Sequence, residues 1–111
     1  MIRLSEELAA ETAQHGVAVF AIDPGWMSTA MSDYLADSPQ GLRWTPSARS
    51  LFGTEAHVPP SRAADLVATL ATGQADDLSG CYLTVWDDLD DLLSRTEEIR
   101  RDDLHRVRLR R

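Results

Sequence analysis

The residues best placed to do chemistry fall in one short run, Asp23-Pro24-Gly25-Trp26-Met27-Ser28-Thr29. Pro24 has no amide donor and Gly25 tolerates dihedrals closed to other residues, so the run ends any strand that leads into it. Asp23 reads as structural. Thr29 carries a hydroxyl that either caps a following helix or serves a ligand. Trp26, Met31, Tyr34, Trp44 and Phe52 either line an apolar substrate pocket under a lid or pack an irregular segment against the fold. Elsewhere the reactive groups are scattered. His15, His57 and His105 lack metal-ligand spacing, and the aspartates between 87 and 91 lack the glycine and spacing of a calcium loop. No metal site is expected, and those aspartates read as helix caps. Cys81 reads as a small buried hydrophobe. Every basic residue is Arg, so chemistry that needs a lysine must find it in another chain.

Composition bounds the partners. A formal net charge of −7 gives no reason to expect nucleic acid or an anionic membrane. The Arg-rich end is interrupted by acids and reads as a solvated face. A single cysteine excludes an internal disulfide and suits a reducing compartment. No apolar run approaches the roughly 20 residues that span a bilayer, and Met-Ile-Arg-Leu-Ser-Glu-Glu has no signal-peptide core. The expected location is the cytoplasm.

The elements that must position the run follow from periodicity. Residues 2–15 read as a helix with Ile2, Leu4, Leu8, Ala9, Thr12 and Ala13 near helical spacing, closed by Gly16. No clear N-cap precedes Ile2, as if the helix were entered part-way. Val17–Ile22 is continuously apolar, the pattern of an inner parallel strand covered on both faces. A short helix is expected over about 28–35, and residues 36–59, with Pro39, Gly41, Pro46, Gly53 and Pro59, read as a long irregular segment. A second helix starts near Pro60, presents Ala63, Leu66, Val67 and Leu70, and closes at Gly73. Residues 80–85 read as a second strand, and 87–101 as a third helix with acids early and Arg late. Leu104–Leu109 reads as an edge strand or a frayed end. The class is α/β. Two strands make a poor sheet, so further strands are expected upstream.

The runs Arg3-Leu4-Ser5-Glu6-Glu7-Leu8-Ala9-Ala10-Glu11, Gly16-Val17-Ala18-Val19 and Asp23–Met31, with Gly80-Cys81-Tyr82-Leu83-Thr84-Val85, together resemble the late part of short-chain dehydrogenases/reductases. There, a helix runs into a strand ending Asn/Asp-Pro-Gly-x-x-x-Thr, and a last strand often reads Gly-x-x-Leu-x-Val. The resemblance covers about residues 1–86. It implies the C-terminal fragment of a Rossmann-like doubly wound parallel sheet, with two strands and about three main helices, binding NAD or NADP at the C-terminal strand ends. Residues 87–111 are left as a helical extension without an assigned role. The family usually stops soon after its last strand, and Trp26 is bulky for its place in the loop.

By position the resemblance makes Pro24, Gly25, Met27 and Thr29 cofactor-binding residues. Pro24 and Gly25 would shape the wall along the nicotinamide. The Met27 backbone and Thr29 hydroxyl would grip the carboxamide and so fix which ring face delivers hydride. Ser28 is a lesser candidate. Trp26, Met31 and Tyr34 are the substrate-pocket candidates. No catalytic residue carries over: Tyr34 is followed by Ser38 and Tyr82 by Trp86, so neither opens the family's Tyr-x-x-x-Lys pair, and the Gly-rich dinucleotide turn is also missing. The implied activity is that of an NAD(P)-dependent oxidoreductase on a small carbonyl or alcohol substrate, with this chain alone inactive. The alternative is a non-catalytic α/β interaction module that docks through an uncovered strand edge. Family members commonly oligomerise through long helices, which marks residues 2–15 and 60–71 as contact faces of a homo-oligomer.

Overall fold

A computed structural model describes residues 1–109 and divides the chain into two compact units, Met1–Asp23 with Asp65–Arg111, and Pro24–Ala64. The first unit opens on α1 (Ile2–Thr12), which tightens into a 3-10 turn over Ala13–His15. Gly16 ends the turn at φ 68, a left-handed conformation that costs glycine little.

The sheet has two parallel strands, β1 (Ala21–Asp23) and β2 (Tyr82–Thr84), in the register Ala21↔Tyr82, Ile22↔Leu83 and Asp23↔Thr84. The Ala21 amide donates to the Cys81 carbonyl and the Val85 amide to the Asp23 carbonyl. In a parallel strand alternate residues serve one neighbour, so Ala21 and Asp23 face β2 while the Phe20 and Ile22 backbone faces the other edge. Among the described residues no strand pairs there. The bounds of the strand expected over Val17–Ile22 are corrected to Ala21–Asp23. The ladder covers three residues, all half-buried.

The core of this unit gathers on β2. Leu83 and Cys81 are buried with Leu70, Ala75, Leu78, Leu92 and Ile99, and Phe20, Ile22 and Leu66 pack against them. The expected helix over 87–101 is two helices, α6 (Leu89–Ser94) and α7 (Thr96–Arg101), broken at Arg95 (φ −109, ψ 17). The Ser94 hydroxyl donates to the Asp91 carbonyl at 2.7 Å and that of Thr96 to the Leu93 carbonyl at 2.9 Å. Such back-bonding competes with the helical ladder and bends it. Leu92 and Ile99, one on each helix, are buried in the shared core, so the segment after residue 86 is built into this unit.

Leu104–Leu109 forms neither strand nor helix. Asp103 and His105 have φ 56 and 55, and the His105 carbonyl accepts from the Tyr82 amide at 2.8 Å. The last two residues of the expected 87–111 extension lie outside the described residues.

The second unit contains α2 (Ala30–Asp37), α3 (Pro39–Trp44) and α4 (Ala48–Leu51). The expected irregular segment over 36–59 is therefore partly helical. Ser38 caps α3, accepting from the Gly41 amide at 2.9 Å, and Pro39 occupies the first turn where its missing amide costs nothing. Gly41 is buried against α2, where a Cβ would collide with the Leu35 backbone. Finally, α5 (Pro60–Leu70) begins in this unit and ends in the first, and Gly73 donates its amide to the Leu70 carbonyl just beyond it. None of the described helices is long and apolar enough to cross a membrane.

Candidate functional site

Pro24, Gly25, Trp26, Met27, Thr29, Met31 and Tyr34 all belong to the second unit. Gly25 has φ 76, which explains why glycine stands there. Immediately after it the backbone is pinned. The Trp26 amide donates to the Ala56 carbonyl at 3.0 Å and its carbonyl accepts from the Val58 amide at 2.8 Å, a parallel bridge between Trp26 and His57.

Thr29 caps α2. Its Oγ1 accepts from the Ser32 amide at 3.2 Å, and its own amide donates to the Ser32 Oγ at 2.8 Å, a reciprocal capping box. Ser32 is buried, and its hydroxyl also donates to the Met27 carbonyl at 2.6 Å. One side chain thus ties Met27 to Thr29 and sets the curve of the loop between them. Sequence reasoning did not single out Ser32, although a hydroxyl three residues after a Thr cap is a recognisable variant of the capping pattern.

His57 has no metal-ligand spacing in the sequence, and its interest lies in space. Its Nε2 is 3.1 Å from the Ser28 Oγ. The imidazole sits 5.2 Å from the Phe52 ring, tilted by 47°, and Phe52 meets Trp26 nearly edge-on at 6.0 Å and 89°. Trp26 and Phe52 therefore pack on each other and on His57. The Trp26 Nε1 is buried without a hydrogen-bond partner. The other two pocket candidates, Met31 and Tyr34, are 73% and 55% exposed.

Cavities also open on the first unit, among its described residues. One of about 420 Å³ is lined by charged and small residues including Glu6, Asp76 and Arg106; one of about 430 Å³ is lined by Phe20, Ile22, Val67 and Leu70 among others. None of Trp26, Met31 and Tyr34 lines either. Tyr82 donates its hydroxyl to Asp23 at 3.1 Å, and burial, followed by this carboxylate, pushes the phenol above its ordinary value. Burial likewise raises the Cys81 thiol, so it is a poor nucleophile. Among the described residues no group of three or more His, Cys, Asp or Glu could hold a metal ion. No family model, curated protein or solved structure matches the chain.

Proposed function

We propose that this chain is the C-terminal part of a short-chain dehydrogenase/reductase, an NAD- or NADP-dependent oxidoreductase of a carbonyl or alcohol substrate. In that reading the loop from Pro24 to Thr29 forms one wall of the nicotinamide site. The observation that carries it is the position of the loop. Two parallel strands are linked through α5, and the Asp-Pro-Gly turn leaves the C-terminal end of β1 directly, the end at which open α/β sheets bind ligands. The capping box is compatible with the role given to Thr29. A hydroxyl oxygen has two lone pairs, and the Ser32 amide takes one, so a carboxamide N–H can still donate to the other.

To the hydride-transfer reaction the chain supplies orientation alone, since the Tyr-x-x-x-Lys pair that serves as general acid/base there is not among its residues. The DNA upstream of Met1 tests the reading. An in-frame Tyr-x-x-x-Lys shortly before Met1, with NADH or NADPH oxidation by the chain extended to include it, is the expected result. A stop codon with no such pair overturns it. The free edge of β1 favours a second reading, a non-catalytic module that accepts a strand from another chain. That reading requires a stable hetero-complex in solution whose formation protects the Phe20 and Ile22 amides from exchange.

A further inference from the structure

The geometry points to Ser28 as a nucleophile and His57 as its general base, together taking an acyl group from activated esters. The two groups are 3.1 Å apart, within the reach a nucleophile–base pair needs. They are also held there. Ser28 lies two residues after Trp26, whose backbone is bridged to His57, and the imidazole is braced by Phe52, itself packed edge-on against Trp26. The same aromatic trio therefore fixes both partners. Ser28 is exposed, so an ester reaches its Oγ without rearrangement.

Ser28 is also next in sequence to hydrogen-bond donors. Ser28 directly precedes the Thr29 cap of α2, an eight-residue helix. Thr29 and Ser32 use their amides on each other's hydroxyls, and the Asp33 amide bonds the Thr29 carbonyl. That leaves the first-turn amides of Ala30 and Met31 as the donors for a developing oxyanion.

The step balances within the pair. As Oγ bonds to the ester carbonyl carbon, the Ser28 hydroxyl proton passes to Nε2, which requires the imidazole to start neutral with its proton on Nδ1. The tetrahedral intermediate collapses, the bond to the alkoxide breaks, and the alkoxide leaves with the proton from Nε2. The products are acyl-Ser28 and an alcohol. Water repeats the cycle and releases the carboxylic acid. Deacylation needs the same imidazole to activate a water, with an alkyl carboxylate ester of Ser28 as the electrophile. With an activated ester the leaving group on acylation is far better than the Ser28 alkoxide that must leave on deacylation, so acylation outruns deacylation and the acyl form accumulates.

The test uses the 111-residue chain, an alkyl fluorophosphonate and p-nitrophenyl acetate, with no nicotinamide cofactor present, so its outcome is independent of the dehydrogenase reading. Fluorophosphonate forms an Oγ–P bond and expels fluoride. Peptide mapping is expected to place the label on Ser28 at least about tenfold faster than on the exposed Ser50 or Ser61, the low end of what a positioned base supplies. His57→Gln, which keeps a hydrogen-bonding side chain and removes the base, is expected to abolish that advantage, and p-nitrophenyl acetate is expected to give a burst of one acetyl group per chain on Ser28. Labelling of Ser28 no faster than of Ser61 overturns the proposal on the unmodified chain, whatever the fold of the variant. Labelling that is selective for Ser28 but unchanged in a folded His57→Gln variant overturns the role of His57.

Discussion

Glu6 and Arg108, 102 residues apart, face each other as a double hydrogen bond, with Nη1 to Oε2 at 2.8 Å and Nη2 to Oε1 at 2.6 Å. The Glu6 carboxylate also meets Arg3 and Arg106, and Arg108 also pairs with Asp103. The pair ties the chain end to α1 within one unit. The Arg108 guanidinium foremost, by its hydrogen bonds and against some burial, pulls the Glu6 carboxyl from 4.5 down to about 2.

The sign of the pH effect follows. A carboxyl whose folded value is depressed adds stability that is fully present above about pH 4.5 and is lost as pH falls toward 2. The chain is expected to lose stability through that acid window, and Glu6→Gln to flatten the loss. Because the guanidinium is solvated, much of the effect should vanish in 1 M salt, where the screening length is about 3 Å. Urea midpoints measured from pH 7 to pH 2, at low and high salt, check this. An acid limb of unchanged slope in Glu6→Gln contradicts it.

Gly41 makes the sharpest steric prediction. A Cβ there would run into the Leu35 backbone, which cannot swing aside as a side chain can. Gly41→Ala is expected to destabilise the second unit by about 1–3 kcal/mol, the usual range for overpacking, although alanine is the better helix former. Denaturation in a Trp86→Phe background, followed by the fluorescence of Trp26 and Trp44, reads that unit. A gain in stability would mean that α2 and α3 part easily.

These two sites show why the sequence is legible in some places and opaque in others. The ends of α1 and α5 could be read because Gly16, Pro60 and Gly73 act through local dihedrals and donors. The parallel pair of strands was legible because short apolar runs flank a helix. The break at Arg95 was hidden: Leu89, Leu92, Leu93, Thr96 and Ile99 keep one helical stripe straight through it, and only the back-bonding of Ser94 and Thr96 interrupts the ladder. Ser28 and His57 are 29 residues apart and meet through a bridge no local pattern announces. The bounds of β1 were hidden because the apolar run Val17–Ile22 records hydrophobicity and does not record where the ladder with β2 starts.

Trp26 carries a buried indole N–H without an acceptor. Leaving such a donor unsatisfied costs about 1–3 kcal/mol, and replacing it by an apolar group of similar shape removes that cost. Trp26→Phe keeps a ring against Phe52, removes the orphan donor and loses indole volume, so the opposed effects are expected to leave stability within about 1 kcal/mol of the parent. Phe52→Ala should lower it, since the aromatic contact alone is worth about 0.5–1.5 kcal/mol. A clear loss in Trp26→Phe, measured by thermal melting, would show that the indole volume matters more than its orphan donor.

Thr29 has a structural task whatever else it does. Thr29→Ala removes the acceptor of the Ser32 amide and should cost about 1 kcal/mol, whereas Thr29→Ser should cost little. Helical content by circular dichroism and the urea midpoint report the difference. Equal stability of the two variants would mean that the capping box contributes nothing, and that the hydroxyl is free for a ligand.

The nicotinamide reading makes its own quantitative demand on the isolated chain. Micromolar affinity requires about −8 kcal/mol. On that reading the groups this chain would bring to a cofactor are the backbone near Pro24, Gly25 and Met27 and one hydroxyl, so two or three hydrogen bonds at roughly 0.5–1.5 kcal/mol each. Their sum falls well short even before the cost of fixing the ligand, and the Gly-rich turn that would cradle the pyrophosphate is not among these residues. Calorimetry of the 111-residue chain with NADPH or NADH is therefore expected to show no binding tighter than about millimolar. Micromolar binding would mean that this chain holds a phosphate site of its own, and it would remove the reason for assigning the Pro24–Thr29 loop only one wall of a larger pocket.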